Sequence, residues 1–365
     1  MPPSIEELRR FALRRSLFRP LALAPAIERL GFVQADPIRA PARAQDLILM
    51  QRVRDYRVGD LEERYAELAV EEDFFINYGF LTASYHALMH PRSGLERYPK
   101  AREQKAQRIL AFVRDHGSAH PRDVERQLGS GTEKNYWGGS SRTTTRLLDA
   151  LHYRGLLRVV RRDAGIRVYA PAPEKGPLTE TEARANLDAL VDLAVRKYAP
   201  LPAATLNYVV GRLRYAAPQF RAELKAGLER AKRRLAHARA GGIDWFWPAG
   251  ERVAASRRAS AALEERARLL SPFDPVVWDR KRFELFWGWA YRFEAYTPAA
   301  RRKLGYYALP LFWDGRAVGW ANLGLVEGRL NASFGYTETR TKQDRAFRRA
   351  LEEELARFER FLKPR

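Results

Sequence analysis

REQKAQRILAFVRDHG (102–117), HPRDVERQLG (120–129), SSRTTTRLLDALHYRGLL (140–157) and RVVRRDAGIRVYA (158–170) follow one another in this 365-residue chain. The periodicity reads as a helix, a short helix, a longer helix and a hairpin, which is the order of a winged helix. The third helix is expected to open on Ser141, Arg142, Thr143 and Thr144. It then turns apolar at Leu147, Leu148, Leu151, Leu156 and Leu157, so hydrogen-bonding groups lead and a core anchor follows. The wing strands are expected at 157–161 and 166–170, with a turn over Asp163 to Gly165 and with Arg158, Arg161, Arg162 and Arg167 lining it. Such a unit either enters a nucleic-acid groove or docks on a protein; the polar lead and the basic wing favour the groove.

Working outward, Ser4 and Glu7 have the spacing of a capping box that opens a helix over 4–15. A second helix over Leu21 to Leu30 is ended by Gly31, where GFVQADPI breaks the period. Asp36 precedes Pro37, which pushes it to an extended conformation, and in an extended segment Gln34 and Asp36 share a face while Val33 and Ala35 share the other. Downstream, PAPEKGPLTE (171–180) reads as a linker, helix resumes over Glu180–Tyr198, and LPAATLNYVVGRLRY begins what reads as another helix-turn-helix. From Gly211 to Ala240 nine basic residues stand against Glu223 and Glu229, either a solvated helical face or a phosphate-tracking one. A helix is expected to end near Leu270. Then come alternating apolar residues with Asp314-Gly315 and Glu327-Gly328 turns, a small β domain, and a helix from about Thr341 to Leu362 that buries Phe347, Leu351, Leu355, Phe358 and Leu362. The fold class expected is mainly α with a smaller β part, divided at 1–100, 101–172, 173–268 and 269–365. Length alone predicts two or three domains at roughly 150 residues each.

Lys+Arg number 65 against Asp+Glu 44, a formal charge of +21, while hydrophobic residues make up 46%, enough to pack cores despite the charge. Arg (54) far outnumbers Lys (11); a GC-rich coding sequence explains that ratio, but it does not explain the excess of basic over acidic residues. The excess points to a polyanionic partner, with nucleic acid leading. No cysteine is present, which excludes disulfides, Cys-ligated zinc, iron–sulfur clusters and a thiol nucleophile. His86/His90 and His116/His120 have i,i+4 spacing without the Glu of a zincin motif, so no metal site is expected. The segment MPPSIEELRR contains acidic residues and no apolar run of signal-peptide length, and nowhere do 18 apolar residues occur without a charge, so neither export nor membrane spanning is expected.

No nucleophile elbow, P-loop or dinucleotide fingerprint appears. Gln34 and Asp36 remain: read alone they are a turn and a cap, yet they also suit deglycosylation of a purine alkylated at N7. That base departs neutral without a general acid. A carboxylate stabilises the sugar cation and activates water while an amide holds the water or the sugar.

The chain resembles the winged-helix DNA glycosylases of the AlkZ and YcaQ-like group over nearly its whole length. The resemblance rests on Gln34-Ala35-Asp36, on segment 102–170, on LLSPFDPVVWDR (269–280) and on LGYYALPLFWDGRAVGW (304–320). It implies tandem winged-helix units with a C-terminal β-barrel-like domain, and a monofunctional glycosylase excising N7-alkylated purines from double-stranded DNA. In its Gln-x-Asp branch it further implies unhooking of interstrand crosslinks. Gln34 and Asp36 are the expected catalytic pair. Arg39, Arg43, Ser141, Arg142, Thr144, Arg161, Arg162, Trp278, Arg280, Arg282, Tyr306 and Tyr307 are the expected DNA contacts. No cofactor or metal is expected, and the protein is expected to be a monomer in the cytoplasm, associated with the nucleoid through DNA. The chain departs from the family pattern at FFINYGFL (74–81), where an aromatic-x-His segment is the family's habit, and at Asn322-Leu323-Gly324, where an acidic and a basic residue are. Those departures bear on substrate range. The competing reading is a non-catalytic winged-helix regulator; an RNA-binding role is weaker, because RNP-type aromatics are missing.

Overall fold

A computed structural model describes residues 2–129, 131–134, 140–253, 266–337 and 344–363. In chain order the elements are α1 (Ile5–Ser16), α2 (Leu23–Leu30), β1 (Phe32–Gln34), α3 (Ala44–Met50), α4 (Asp60–Glu63), β2 (Val70–Phe74), β3 (Tyr78–Thr82), α5 (Ala83–Leu88), α6 (Lys100–His116) and α7 (Pro121–Leu128). Then follow β4 (Thr132–Lys134), β5 (Ser140–Arg142), α8 (Thr143–Tyr153), β6 (Leu157–Asp163), β7 (Ile166–Pro171), α9 (Glu180–Tyr198), β8 (Leu201–Pro202), α10 (Ala203–Ala216) and α11 (Leu224–Arg234). The last are β9 (Ala236–Ala240), β10 (Ile243–Trp247), β11 (Arg268–Leu269), α12 (Arg280–Trp287), β12 (Leu309–Trp313), β13 (Arg316–Val326), β14 (Arg329–Tyr336) and α13 (Arg345–Leu362). Strand is abundant enough, and spread over enough sheets, to make the fold mixed α/β instead of mainly α. Instead of four consecutive segments, the chain clusters into two units, each gathered from several stretches. One holds 1–60, 191–210 and 228–365; the other holds 61–190 and 211–227.

In the second unit, α6, α7, α8 and the β6–β7 hairpin enclose one core. Ile109, Leu110, Val113, Val124, Leu147, Leu148, Leu151, Leu157, Val159 and Tyr169 are all buried there. The hairpin closes through Ala164 and Gly165, both at positive φ, with Asp163 opposite Ile166, as a two-residue turn between twisted strands demands. The helix expected to open at Ser141 starts instead at Thr143. Ser140–Arg142 pair antiparallel with Thr132–Lys134, because a strand satisfies the backbone groups of this polar lead before the helix can.

The arginines of the β6–β7 hairpin are held mostly by carboxylates of β2. Arg162 and Arg167 both reach Glu72, which is fully buried, and Arg158 reaches Glu71. Burial works to raise the Glu72 carboxyl, but Arg167 and Arg162 outweigh it and hold it at about 2. Also on β2, Asp73 is held well below the carboxylate range: Arg92 and the His86 and His90 imidazoles overcome its burial.

In the first unit, Ser4 and Glu7 form the expected capping box on α1. The core gathers Leu13, Leu17, Leu270, Val276, Val277, Phe283, Tyr291, Ala308 and Phe312. Beside it Arg52 and Asp274, both fully buried, make a two-armed ion pair at 2.7 and 2.9 Å. Strands β11 to β14 form an antiparallel sheet in sequence order, with Asp314-Gly315 and Glu327-Gly328 as its hairpin turns, all four residues at positive φ. Its end strands do not pair with one another, so among the described residues it is an open sheet and the expected barrel-like closure is absent. Strands β8, β10 and β9 make a separate small sheet.

The start of α13 expected near Thr341 and most of the helix expected before Leu270 lie outside the described residues; Arg268–Leu269 is strand, not helix. The buried face of α13 also differs from expectation: Glu354 and Phe361 are buried, while Leu355 and Leu362 are only partly so. Glu354 turns inward because its carboxylate accepts the N–H of Leu269 at 3.0 Å and the Gln51 amide at 2.9 Å, partners that recover what burying a charge would cost.

Candidate active site

Gly31 ends α2 at φ +68, its N–H donating to Ile27 at 2.8 Å. A Cβ here would come within 2.3 Å of Leu193 Cδ1, so both the turn and the close approach of α9 require glycine. The chain then enters β1, where Phe32 and Val33 are fully buried and Gln34 is 5% exposed. Both faces of the strand are therefore covered, and the expected alternation of an inner and an outer face is not seen. Asp36, just past the strand, is half-buried. Its Oδ1 accepts the Ile38 N–H at 2.9 Å, an Asx turn around Pro37 that fixes the carboxylate. Burial raises the Asp36 pKa, and that N–H opposes the rise.

Lys197 of α9 has its Nζ on the Phe32 carbonyl, two residues before Gln34. It is 4% exposed, and burial, with Arg52 adding to the effect and Asp274 opposing it, pushes the amine down to about 7. Sequence reading finds no lysine near the motif because this one arrives from α9.

Asp36 also lies within electrostatic reach of Tyr296 and Tyr307, where it adds to the rise that burial gives both phenols. Tyr296 is 73% exposed and Tyr306 45%, and the Arg302 guanidinium sits 5.0 Å over the Tyr306 ring. Asn322, at one of the positions that depart from the family pattern, donates to the Leu304 carbonyl at 2.7 Å and so braces the turn that carries Tyr306 and Tyr307. Tyr296 has no sequence signature, since nothing in RFEAYTPAA predicts its proximity to residue 36.

The expected DNA contacts divide by placement. Arg39 is exposed and Arg43 half-buried before α3. Arg142 is exposed and paired with Glu125. Arg161 is exposed and paired with Asp163 at 3.0 Å. Ser141 lies in β5, its side chain outside the described set. Arg162 is held by Glu72 and the Gly165 carbonyl. Trp278 stacks on Tyr198 with centroids 4.3 Å apart.

Four expectations need correcting. Arg282 is 1% exposed, and its guanidinium donates to the carbonyls of Tyr198, Pro275 and Val276, so it is an internal brace and not a phosphate contact. Arg280 turns onto the Val277 carbonyl and the Tyr291 ring, 4.8 Å away. Thr144 (1% exposed) and Tyr307 (2%) face the interior. The block LLSPFDPVVWDR thus acts structurally: Asp274 anchors Arg52, and Asp279 caps α12 through Lys281 and Arg282 N–H.

Among solved structures the chain is similar to the DNA glycosylase AlkZ of Streptomyces sahachiroi, at 16% identity and a TM-score of 0.61 over 99% of this chain and 97% of that one. That likeness is one of fold. Residues 27–361, which take in Gln34, Asp36 and the tyrosines around them, match the family model described as DNA glycosylase AlkZ-like, and the chain therefore belongs to the AlkZ-like family of DNA glycosylases.

Proposed function

We propose that the protein hydrolyses the N-glycosidic bond of N7-alkylated purines in double-stranded DNA, including one arm of an interstrand crosslink, with Asp36 as the catalytic carboxylate and Gln34 as its partner. The observation that carries this reading is Asp36 itself: half-buried, raised in pKa and fixed by the Ile38 N–H, within electrostatic reach of the exposed Tyr296. As C1′–N9 breaks, its electron pair neutralises the cationic base, and positive charge develops on the sugar. Asp36 stabilises that charge and accepts the proton of the attacking water, and a carboxyl pKa closer to working pH makes a better base. The Gln34 amide holds the water or the deoxyribose. Tyr296 and Tyr306 offer solvent-exposed ring area for an unstacked base, and the α6–β7 segment serves as a winged helix on the duplex with Arg142 and Arg161 toward phosphates.

The test is incubation with duplex DNA carrying N7-methylguanine, followed by alkali. Strand breaks at the lesion are expected, the product being an intact abasic site, and borohydride during turnover should trap no adduct. Lys197 is the amine to watch, since a trapped adduct lost in Lys197→Met would transfer the chemistry from Asp36 to that nucleophile.

A further inference from the structure

Three side chains from the stretch 73–90 converge in the second unit. Asp73 lies on β2, His86 on α5 and His90 just beyond it. Asp73 Oδ2 is 3.1 Å from His86 Nε2 and 3.0 Å from His90 Nε2, and the three atoms all lie within 4.8 Å of one another. The other oxygen, Oδ1, is tied to Arg92 Nη1 at 3.0 Å and to the Phe74 N–H at 2.6 Å, leaving Oδ2 turned to the rings. His90 backs onto Gly155 at φ +76, where a Cβ would fall 2.4 Å from Nδ1. The absence of a side chain there is what lets the ring sit with Nε2 toward Asp73.

We propose that Asp73, His86 and His90 form a binding site for a divalent transition-metal ion of the zinc class, with an open coordination position. Two imidazole nitrogens and one carboxylate oxygen make a donor set that suits zinc when a fourth position is left to water. Bonds of about 2.0–2.1 Å in a tetrahedron place ligand atoms roughly 3.3 Å apart, so Asp73 Oδ2 needs to open from each imidazole nitrogen by only a few tenths of an ångström, while the two imidazole nitrogens, within 4.8 Å of one another, settle to that separation. Arg92 fixes the carboxylate as outer partners fix metal ligands. A cavity of about 520 Å³ bordered by His86, His90, Arg92, Arg158 and Lys175 supplies the entry path and room for the water. The rings must then carry their protons on Nδ1, and His90 Nδ1 has no hydrogen-bond partner among the described residues. That cost and the nearby Arg92 charge set the affinity in the micromolar range, weaker than closed four-ligand sites.

The competing arrangement, two imidazole N–H groups on a carboxylate with no ion, is decided by titrating the full chain, untagged and stripped with chelator, with Co²⁺ and then Zn²⁺. One equivalent should bind with Kd of about 10 µM or tighter, giving visible Co²⁺ absorption that Zn²⁺ abolishes. His86→Gln and His90→Gln should each weaken uptake by about tenfold or more, while His116→Gln leaves it unchanged. His86 is partly exposed, so His86→Gln carries the test if circular dichroism shows His90→Gln unfolded. No saturable uptake below about 100 µM, uptake that His86→Gln leaves unchanged, or equal loss in His116→Gln would overturn the site.

Discussion

At the scale of single residues, Gln34 and Lys197 bear on the segment that carries Asp36 in different ways: Gln34 as its proposed partner, Lys197 through the Phe32 carbonyl. In the proposed role Gln34 supplies hydrogen bonds worth about 0.5–1.5 kcal/mol net and no proton transfer, so Gln34→Ala should slow single-turnover excision by about tenfold or less. A loss greater than that of Asp36→Asn would reverse the proposed roles. Lys197 supports the strand that ends at Gln34, at the cost of burying an amine whose pKa falls from 10.5 to about 7. Between those values the unfolded chain binds the proton and the folded chain does not, so wild-type stability rises with pH across that window. Lys197→Met removes the titration. Its melting temperature should exceed the wild type's near pH 6, with the difference shrinking toward pH 10; a pH-independent difference would show that the amine is not desolvated.

At the scale of elements, the β6–β7 hairpin is fastened by β2. Glu72 is depressed from 4.5 to about 2 by Arg167 and Arg162 against its burial. Its contribution to stability is therefore complete above pH 4.5 and lost as pH falls toward 2. Breaking a buried pair costs about 3–5 kcal/mol, so Glu72→Gln should lower denaturant stability by that order at neutral pH, and the gap should close in acid. Arg161 points outward, and Arg161→Ala should flatten the log K against log salt slope for duplex binding by roughly one; Arg282→Ala should lower stability and leave that slope unchanged. The hairpin and its arginines were legible from turn chemistry and alternation. Their carboxylate partners were not, because Glu71 and Glu72 belong to a strand outside the segment and no spacing rule links them. Asp73 is hidden in the sequence for the same reason: the i,i+4 histidines stand out, but the carboxylate they share does not.

At the scale of the molecule, local signals carried the reading as far as local physics decides structure. Capping boxes, positive-φ turns and the order of helices over 100–171 depend on neighbours in sequence, and they were readable there. Which stretches gather into one unit depends on packing between distant segments, and a linear division could not anticipate that 191–210 would join 1–60. Charge misleads similarly: Arg52, Arg92, Arg268 and Arg282 are all buried, so part of the +21 excess braces the fold instead of facing a polyanion. Asp36 is legible as a candidate from Gln-x-Asp; Tyr296, which reaches it from another element, and Lys197, which reaches the Phe32 carbonyl from α9, are not.

The central claim, that the Asp36 carboxylate performs excision, is tested most directly by single-turnover kinetics of Asp36→Asn on an N7-methylguanine duplex, with duplex affinity measured in parallel. The substitution preserves size and removes charge and basicity, so the excision rate should fall by about 10²-fold or more while affinity stays within about twofold. A mutant that excises at the wild-type rate would contradict the account.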